Sequence, residues 1–326
     1  GGKRPLPKSR YSSISSYICT HLTSEKSECM SSLNDLDAPI DEAAYKDLIE
    51  GGVDSLLAKH IAHLFVRDPL VIFHGRIELN DNEQIEHFEN LQSTNWQTVR
   101  WKPPPASSKR LGGDLHIGWR VEFRSMEVQL TDFENAAFTV FIVLASRVIL
   151  YFNLNLYLPL SKVDENMRRA QKVDALRTEK FYFRQGVHEQ NCDTHGKPVA
   201  HSAKRQRRQS DPKAAEAQFG QGCKSTEMTV REILMGNGDY RGLVPMILAY
   251  LHSIGTDSQS LKQIENYMDF IVARASGELM TPAAWMRNFV RNHPDYKQDS
   301  VVSHRVAADL VAKCHAIGTG AERCAE

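Results

Sequence analysis

A charged strand is predicted in Ile117-Gly-Trp-Arg-Val-Glu-Phe-Arg-Ser-Met-Glu-Val-Gln129. Successive side chains of a strand point to opposite faces, so charged residues at alternate positions would share one face: Arg120, Glu122 and Arg124. The apolar residues between them would form the other face: Trp119, Val121 and Phe123. A carboxylate suits Mg²⁺, and guanidinium groups suit phosphate oxygens. The pattern fits a phosphoryl-transfer site, although an ordinary solvated strand face carries the same charges.

A long helix is predicted directly after this strand, over residues 133–152. Thr131 and Glu134 stand three positions apart, which is a capping-box pattern that marks the start of a helix. Polar and charged residues interrupt the apolar run, and its longest uncharged part is shorter than the ~20 residues that a bilayer requires. We therefore expect a helix buried inside a soluble domain.

Apolar periodicity predicts further helices on both sides of this region. Residues 41–67 have continuous helical spacing that ends at Asp68-Pro69, and residues 162–180 form a second amphipathic pattern. A short strand is predicted over residues 96–101, before three consecutive prolines. Five more helices are predicted in the last third of the chain: residues 229–234, 243–251, 261–273, 282–292 and 304–317.

One long segment lacks any such pattern. Residues 185–226 contain the basic run Lys204-Arg-Gln-Arg-Arg208 and show no apolar periodicity, which predicts a disordered loop. The expected organisation is therefore one domain in two parts, residues 1–184 and 227–326, with the loop between them.

Composition narrows the function classes. The chain has 326 residues and a formal net charge of zero, which gives no global field to favour nucleic acid. Its six cysteines include no Cys-x-x-Cys pair, which argues against a zinc site or a disulfide framework and suits a reducing cytoplasm. His60 and His63 have helical i, i+3 spacing but no evident third ligand, so we interpret them as packing or hydrogen-bonding residues.

A family resemblance is carried by long runs in the same order along most of the chain. They include Lys8-Ser-Arg-Tyr11, Ala62-His-Leu-Phe-Val-Arg-Asp-Pro-Leu70, His87-Phe-Glu-Asn-Leu-Gln-Ser-Thr-Asn-Trp-Gln-Thr98, Pro159-Leu-Ser-Lys-Val-Asp-Glu-Asn-Met167 and Asn292-His-Pro-Asp-Tyr-Lys-Gln-Asp-Ser300. In these runs and the charged strand, the chain resembles the catalytic subunit of eukaryotic glutamate–cysteine ligase. It corresponds to the C-terminal half of that family's members. The resemblance implies an α+β fold with a glutamine-synthetase-like antiparallel sheet, partial in this chain, and many helices.

The resemblance also implies roles for particular residues. Glu122 would be a Mg²⁺ ligand, and Arg124 would contact the phosphates of ATP. Trp96 would provide a flat surface for adenine, and Lys102 would reach an adenine nitrogen or a phosphate. Arg10 would bind the carboxylate of the substrate or its phosphorylated product. These roles place the ATP and metal side within residues 1–184, and residues 227–326 would form a helical C-terminal part.

The implied reaction joins the γ-carboxylate of L-glutamate to the α-amine of L-cysteine through γ-glutamyl phosphate. It would use ATP and Mg²⁺ in the cytoplasm, with a modifier subunit as partner and with neither nucleic acid nor membrane. The glutamate-binding surface and several metal ligands would belong to the N-terminal half of the family. Two alternatives remain: an inactive half that binds only nucleotide or the modifier subunit, and another ATP-dependent carboxylate–amine ligase.

Overall fold

A computed structural model describes residues 15–18, 33–67, 74–75, 77–80, 82–87, 99–102, 118–184, 186–187 and 225–322. These residues are mostly helical and contain two small antiparallel sheets of two strands each. An α+β fold is therefore observed in its coarse form.

Contacts divide the chain into two units that interleave in sequence. The first unit consists of Gly1–Met126 and Pro159–Met167, and the second of Glu127–Leu158 and Arg168–Glu326. The boundaries predicted at residues 184 and 227 stay predictions.

Two helices open the described part of the first unit: α1 (Glu42–Glu50) and α2 (Ser55–Arg67). The Asp41 side chain caps α1 by accepting a hydrogen bond from the Ala44 N–H. The single helix predicted over residues 41–67 is wrong. Gly51 and Gly52 end α1, and Gly52 has a φ of +84°, a conformation that glycine adopts without steric cost.

His63 of α2 takes part in a buried hydrogen-bond network. Its Nδ1 lies 2.7 Å from the Pro39 carbonyl oxygen, and its Nε2 lies 2.8 Å from the Ser15 hydroxyl. The interpretation of His63 as a hydrogen-bonding residue is confirmed. The described residues contain no group of three or more potential His, Cys, Asp or Glu metal ligands.

The first unit also contains a strand pair, β1 (Val99–Lys102) and β2 (Arg120–Phe123), which pair antiparallel. Valine and aromatic residues alternate with charged ones in both strands, a composition that favours a pleated surface. The predicted strand at residues 117–129 is confirmed over four residues. The preceding prediction at residues 96–101 is confirmed over 99–101, and residues 96–98 lie outside the described residues.

The second unit begins with a long helix, α3 (Asp132–Tyr151). Thr131 and Glu134 form the predicted capping box, since each side chain bonds to the backbone N–H of the other residue. By length and composition this helix could cross a membrane, a test that the core helix of a globular protein also passes. Three of its residues are buried, and six further residues at and just beyond it pack against the core: Phe138, Val140, Phe141, Leu144, Ile149 and Phe152. The helix therefore packs one face against the core, whereas Val143 and Leu150 on it are exposed.

The remaining elements follow in chain order: α4 (Leu160–Ala170), α5 (Ala175–Thr178), β3 (Phe181–Arg184), β4 (Ser225–Met228), α6 (Val230–Met235), α7 (Leu243–Ser253), α8 (Ser258–Ser276), α9 (Pro282–Asn292) and α10 (His304–Gly318). The five helices predicted after residue 228 are confirmed. The predicted helix at 162–180 is two helices, because the chain turns at residues 171–174.

The core of the second unit lies among α3, α7 and α8. Ile247 and Val148 are completely buried there, and Met268 is almost completely buried. Aromatic rings join α3 to α8, with Phe133 and Phe138 both within 6.0 Å of the Phe270 ring centroid. Burial of these apolar side chains is the main source of stability in this unit.

The pairing of β3 with β4 was not predicted. β4 includes Ser225 and Thr226, the last two residues of the segment predicted to be a disordered loop, and pairs antiparallel with β3, so the prediction is wrong for these two residues. Most of the predicted loop lies outside the described residues. The sheet brings residues 184 and 225 together, so both ends of that segment are anchored in the second unit.

Candidate active site

The β1–β2 strand pair places charged residues from two distant segments on one face. Lys102 lies opposite Arg120 in the register, and Glu122 is two residues further along β2 on the same face. Arg124 follows directly after the end of β2. The predicted grouping of Glu122 with Arg124 is therefore observed, and Lys102 joins them from the neighbouring strand.

Glu122 contacts a cation with each carboxylate oxygen. Arg124 donates a hydrogen bond from Nε to Oε1 at 2.8 Å, and Lys102 Nζ lies 2.7 Å from Oε2. The contact with Lys102 is a close ion pair, and Oε2 itself is buried. The three side chains are each about one-third exposed.

These two cations keep Glu122 ionised. Lys102, and secondly Arg124, lower the pKa of the Glu122 carboxyl to about 2, because both stabilise the charged form. At neutral pH this residue is a carboxylate, which is the form that binds a divalent cation.

Glu122 fits a role as a magnesium ligand. Its Oε2 is a hard, ionised oxygen of the kind that Mg²⁺ binds, and it is paired with the Lys102 ammonium. The described residues supply this single carboxylate and no cluster of potential ligands. A complete magnesium site would need oxygens from elsewhere, such as phosphate oxygens and water.

The other face of the strand pair is apolar and exposed. Trp119 is 51 % exposed, Val121 45 % and Phe123 42 %. The predicted alternation is confirmed, since this face carries the apolar side chains. Its exposure means that the described residues do not bury it.

Two predicted site residues, Trp96 and Arg10, lie outside the described residues. Their roles stay predictions. The contact between Lys102 and Glu122 was not predicted, because it depends on the register of two strands that are far apart in sequence. Alternation of charged and apolar residues in both segments was the available signal.

The structure therefore places one carboxylate between two cationic side chains, on an antiparallel strand pair in a mostly helical chain. Comparison with known proteins identifies the family. The sequence model described as glutamate–cysteine ligase matches residues 2–317. This chain belongs to the glutamate–cysteine ligase family, as the resemblance predicted.

Relatives from distant organisms agree with this result. The chain is 47 % identical over 322 residues to the glutamate–cysteine ligase catalytic subunit of Mus musculus. The aligned part covers 98 % of this chain and 46 % of the mouse protein. It is 43 % identical over 327 residues to the glutamate–cysteine ligase of Dictyostelium discoideum, with the same coverage of 98 % and 46 %. The Schizosaccharomyces pombe enzyme is 42 % identical and is covered to 42 % of its length. The chain thus spans about half the length of the curated relatives it matches.

Proposed function

We propose that this chain provides the magnesium- and phosphate-binding part of a glutamate–cysteine ligase. The observation that supports this proposal most directly is Glu122, a carboxylate held between Lys102 and Arg124. Glu122 would bind Mg²⁺, and the two cations would contact phosphate oxygens of ATP. Family membership supplies the reaction class.

The proposed reaction activates the γ-carboxylate of glutamate by phosphorylation. The carboxylate oxygen attacks the γ-phosphorus of ATP, ADP leaves, and the product is γ-glutamyl phosphate. The α-amine of cysteine then attacks the acyl carbon, and phosphate leaves as the amide forms. Bound Mg²⁺ would neutralise charge on the transferred phosphoryl group.

Residues of this chain would act by positioning charge. Arg124 would donate to a phosphate oxygen while it orients Glu122, and Lys102 would supply a second cation. Trp96 would stack on adenine, and Arg10 would hold the substrate carboxylate or the acyl phosphate. Such preorganised charges typically lower a barrier by ~3–4 kcal/mol each.

We also propose that β1 and β2 belong to a larger antiparallel sheet of the glutamine-synthetase-like kind. The part of the relatives that this chain does not span would supply its other strands, the glutamate surface and further metal ligands. The exposed apolar face of Val121 and Phe123 supports this proposal, because apolar sheet faces are normally covered. We also propose that the protein is cytoplasmic and that it binds a modifier subunit.

The test is turnover in a protein that joins this chain to the part of the relatives it does not span. Glu122→Gln and Arg124→Ala should each lower kcat at least about a hundredfold, since each removes a charge that stabilises the transferred phosphoryl group. The measurement is phosphate release that depends on both glutamate and cysteine.

Glu227→Gln is the matched control. Glu227 is also an ion-paired carboxylate on a short strand, 2.6 Å from Arg169, and its pKa is lowered by that arginine. Its neutralisation should leave kcat close to the unsubstituted value. Near-normal turnover of Glu122→Gln would contradict the assignment of Glu122.

A second candidate is a half that binds nucleotide or the modifier subunit without turnover of its own. The single carboxylate of the described site favours it, because phosphoryl transfer requires a complete metal site. Phosphate release from this chain alone, compared with the joined protein, separates the two. Turnover by this chain alone would exclude the second candidate.

A further inference from the structure

The side chains of Arg124 and Lys102 contact Glu122 in different ways. Arg124 lies two residues away on the same chain segment and donates a regular hydrogen bond to Oε1. Lys102 reaches Oε2 from the neighbouring strand, with its Nζ 2.7 Å from that oxygen. A guanidinium is a planar donor with a fixed direction, whereas an ammonium is a point charge on a flexible stem. Because its stem is flexible, the Lys102 ammonium can move to another acceptor while the Arg124 guanidinium keeps its direction.

A divalent cation and Lys102 cannot share Oε2. Mg²⁺ binds carboxylate oxygens at about 2.1 Å and needs nearly octahedral geometry around it. The ammonium group lies 2.7 Å from the same oxygen and occupies the space in front of it. Binding of the metal to Oε2 would have to move the lysine side chain away.

A displaced Lys102 would remain in a positively charged surrounding. Arg120 lies directly opposite Lys102 in the strand register, and Arg124 stays on Oε1. The freed ammonium, the Arg124 guanidinium and the divalent cation would then lie near the Glu122 carboxylate. An anion with several negative charges, such as the triphosphate of a nucleotide, would relieve this repulsion.

We propose that Lys102 occupies the place of the divalent cation on Glu122 and is released to the nucleotide phosphates when the cation binds. This exchange would couple metal binding to nucleotide binding. It rests on the proposed function, in which Glu122 is a metal ligand and ATP binds at the same face.

Binding of Mn²⁺ without nucleotide tests the competition. Mn²⁺ replaces Mg²⁺ as the probe, and its free concentration is followed by electron paramagnetic resonance on the full chain. Lys102→Met should tighten Mn²⁺ binding about fivefold, because a competing unit charge a few ångströms away costs about 1 kcal/mol in high dielectric. Lys102→Gln should do the same, and thermal unfolding verifies that both variants are folded.

Two further variants separate the possible outcomes. Lys172→Met is the matched control, because Lys172 Nζ also pairs with a carboxylate, that of Glu179 at 3.0 Å, instead of with Glu122. It should leave Mn²⁺ binding unchanged. Glu122→Gln should weaken Mn²⁺ binding. If it does not, the metal assignment of the proposed function fails. If Glu122→Gln weakens binding but Lys102→Met does not tighten it, the assignment stands and the exchange is wrong.

Release of the lysine is tested with ATP. Calorimetry gives the dissociation constant of ATP once in the presence of Mn²⁺ and once in excess chelator. The ratio of the two constants is the factor by which Mn²⁺ tightens ATP binding. Lys102→Met should reduce this factor severalfold, because no lysine is then released to the phosphates. An unchanged factor would overturn the transfer of Lys102 to the nucleotide.

Discussion

Glu122 lies at the centre of the candidate site, between two cationic side chains. Its folded pKa is about 2 because Lys102, and then Arg124, stabilise the carboxylate. A depressed pKa means that the charged form is present throughout the neutral range and is lost only as the pH falls towards 2. The carboxylate form of Glu122, which the proposed metal site requires, should therefore be constant between about pH 5 and pH 8.

Titration of the Glu122 carboxyl by nuclear magnetic resonance checks this account. Lys102→Met should raise the pKa of Glu122, because the lysine is the largest cause of its depression. Arg124→Gln should raise it by a smaller amount. A pKa that stays near 2 in Lys102→Met would contradict the observed ion pair.

Gly242 illustrates a second residue-scale constraint. Its φ is +88°, and a Cβ at this position would lie 2.3 Å from the Met235 carbonyl carbon. Gly255 also has a positive φ of +72°, but a Cβ there would meet nothing within 4 Å. Gly242→Ala should therefore lower the free energy of unfolding by about 2 kcal/mol more than Gly255→Ala. Chemical denaturation measures both, and equal losses would show that the close approach is absent.

At the scale of elements, two helices begin with the same capping box but differ in their surroundings. Glu134 at the start of α3 also receives a 2.7 Å hydrogen bond from Arg274 of α8, and the Arg274 side chain is only 11 % exposed. Glu232 at the start of α6 has the same bonds to Thr229, and its further bond comes from the neutral side chain of Asn237. The cap of α3 therefore also fixes α8.

Substitution by glutamine separates these two contributions. An amide oxygen can still accept the N–H bond of the capping box, but it removes the charge that Arg274 needs. Glu134→Gln should lower the free energy of unfolding by about 2 kcal/mol, and Glu232→Gln by less than about 1 kcal/mol. Similar losses in both variants, measured by denaturation, would show that the Arg274 contact adds no stability.

Local signals explain which elements were predictable. The Thr131–Glu134 box and Pro282 mark helix starts within a few residues, so the helices that follow them were predicted correctly. The helix at 41–67 was predicted too long because its apolar spacing continues through Gly51 and Gly52, although the two glycines break it. The β3–β4 pair was missed because Phe181–Arg184 finds its partner only at Ser225.

The contacts of the candidate site also include one that local sequence patterns predict and one that they do not. Alternation along one strand was enough to group Glu122 with Arg124. The contact with Lys102 depends on pairing between residues 99–102 and 120–123, and no local pattern specifies that register. Long-range pairing is thus the part of the site that sequence patterns did not supply.

At the scale of the whole molecule, the second unit has a helical core that can be tested directly. Met268 of α8 is 1 % exposed, whereas Met280 in the loop before α9 is 39 % exposed. Met268→Ala should cost about 2–5 kcal/mol of unfolding free energy, and Met280→Ala less than about 1 kcal/mol, because only the first leaves a cavity. Equal effects in thermal unfolding would contradict the described core.

The exposed apolar face of the β1–β2 strand pair has an optical consequence. Trp119 lies next to β2 and is in contact with water over about half of its surface. Indole fluorescence moves to shorter wavelength when water is removed, so the emission of Trp119 reports whether this face is covered. In a protein whose other tryptophans are replaced by phenylalanine, covering of this face would shift the emission maximum of Trp119 to shorter wavelength. This readout does not require catalytic turnover.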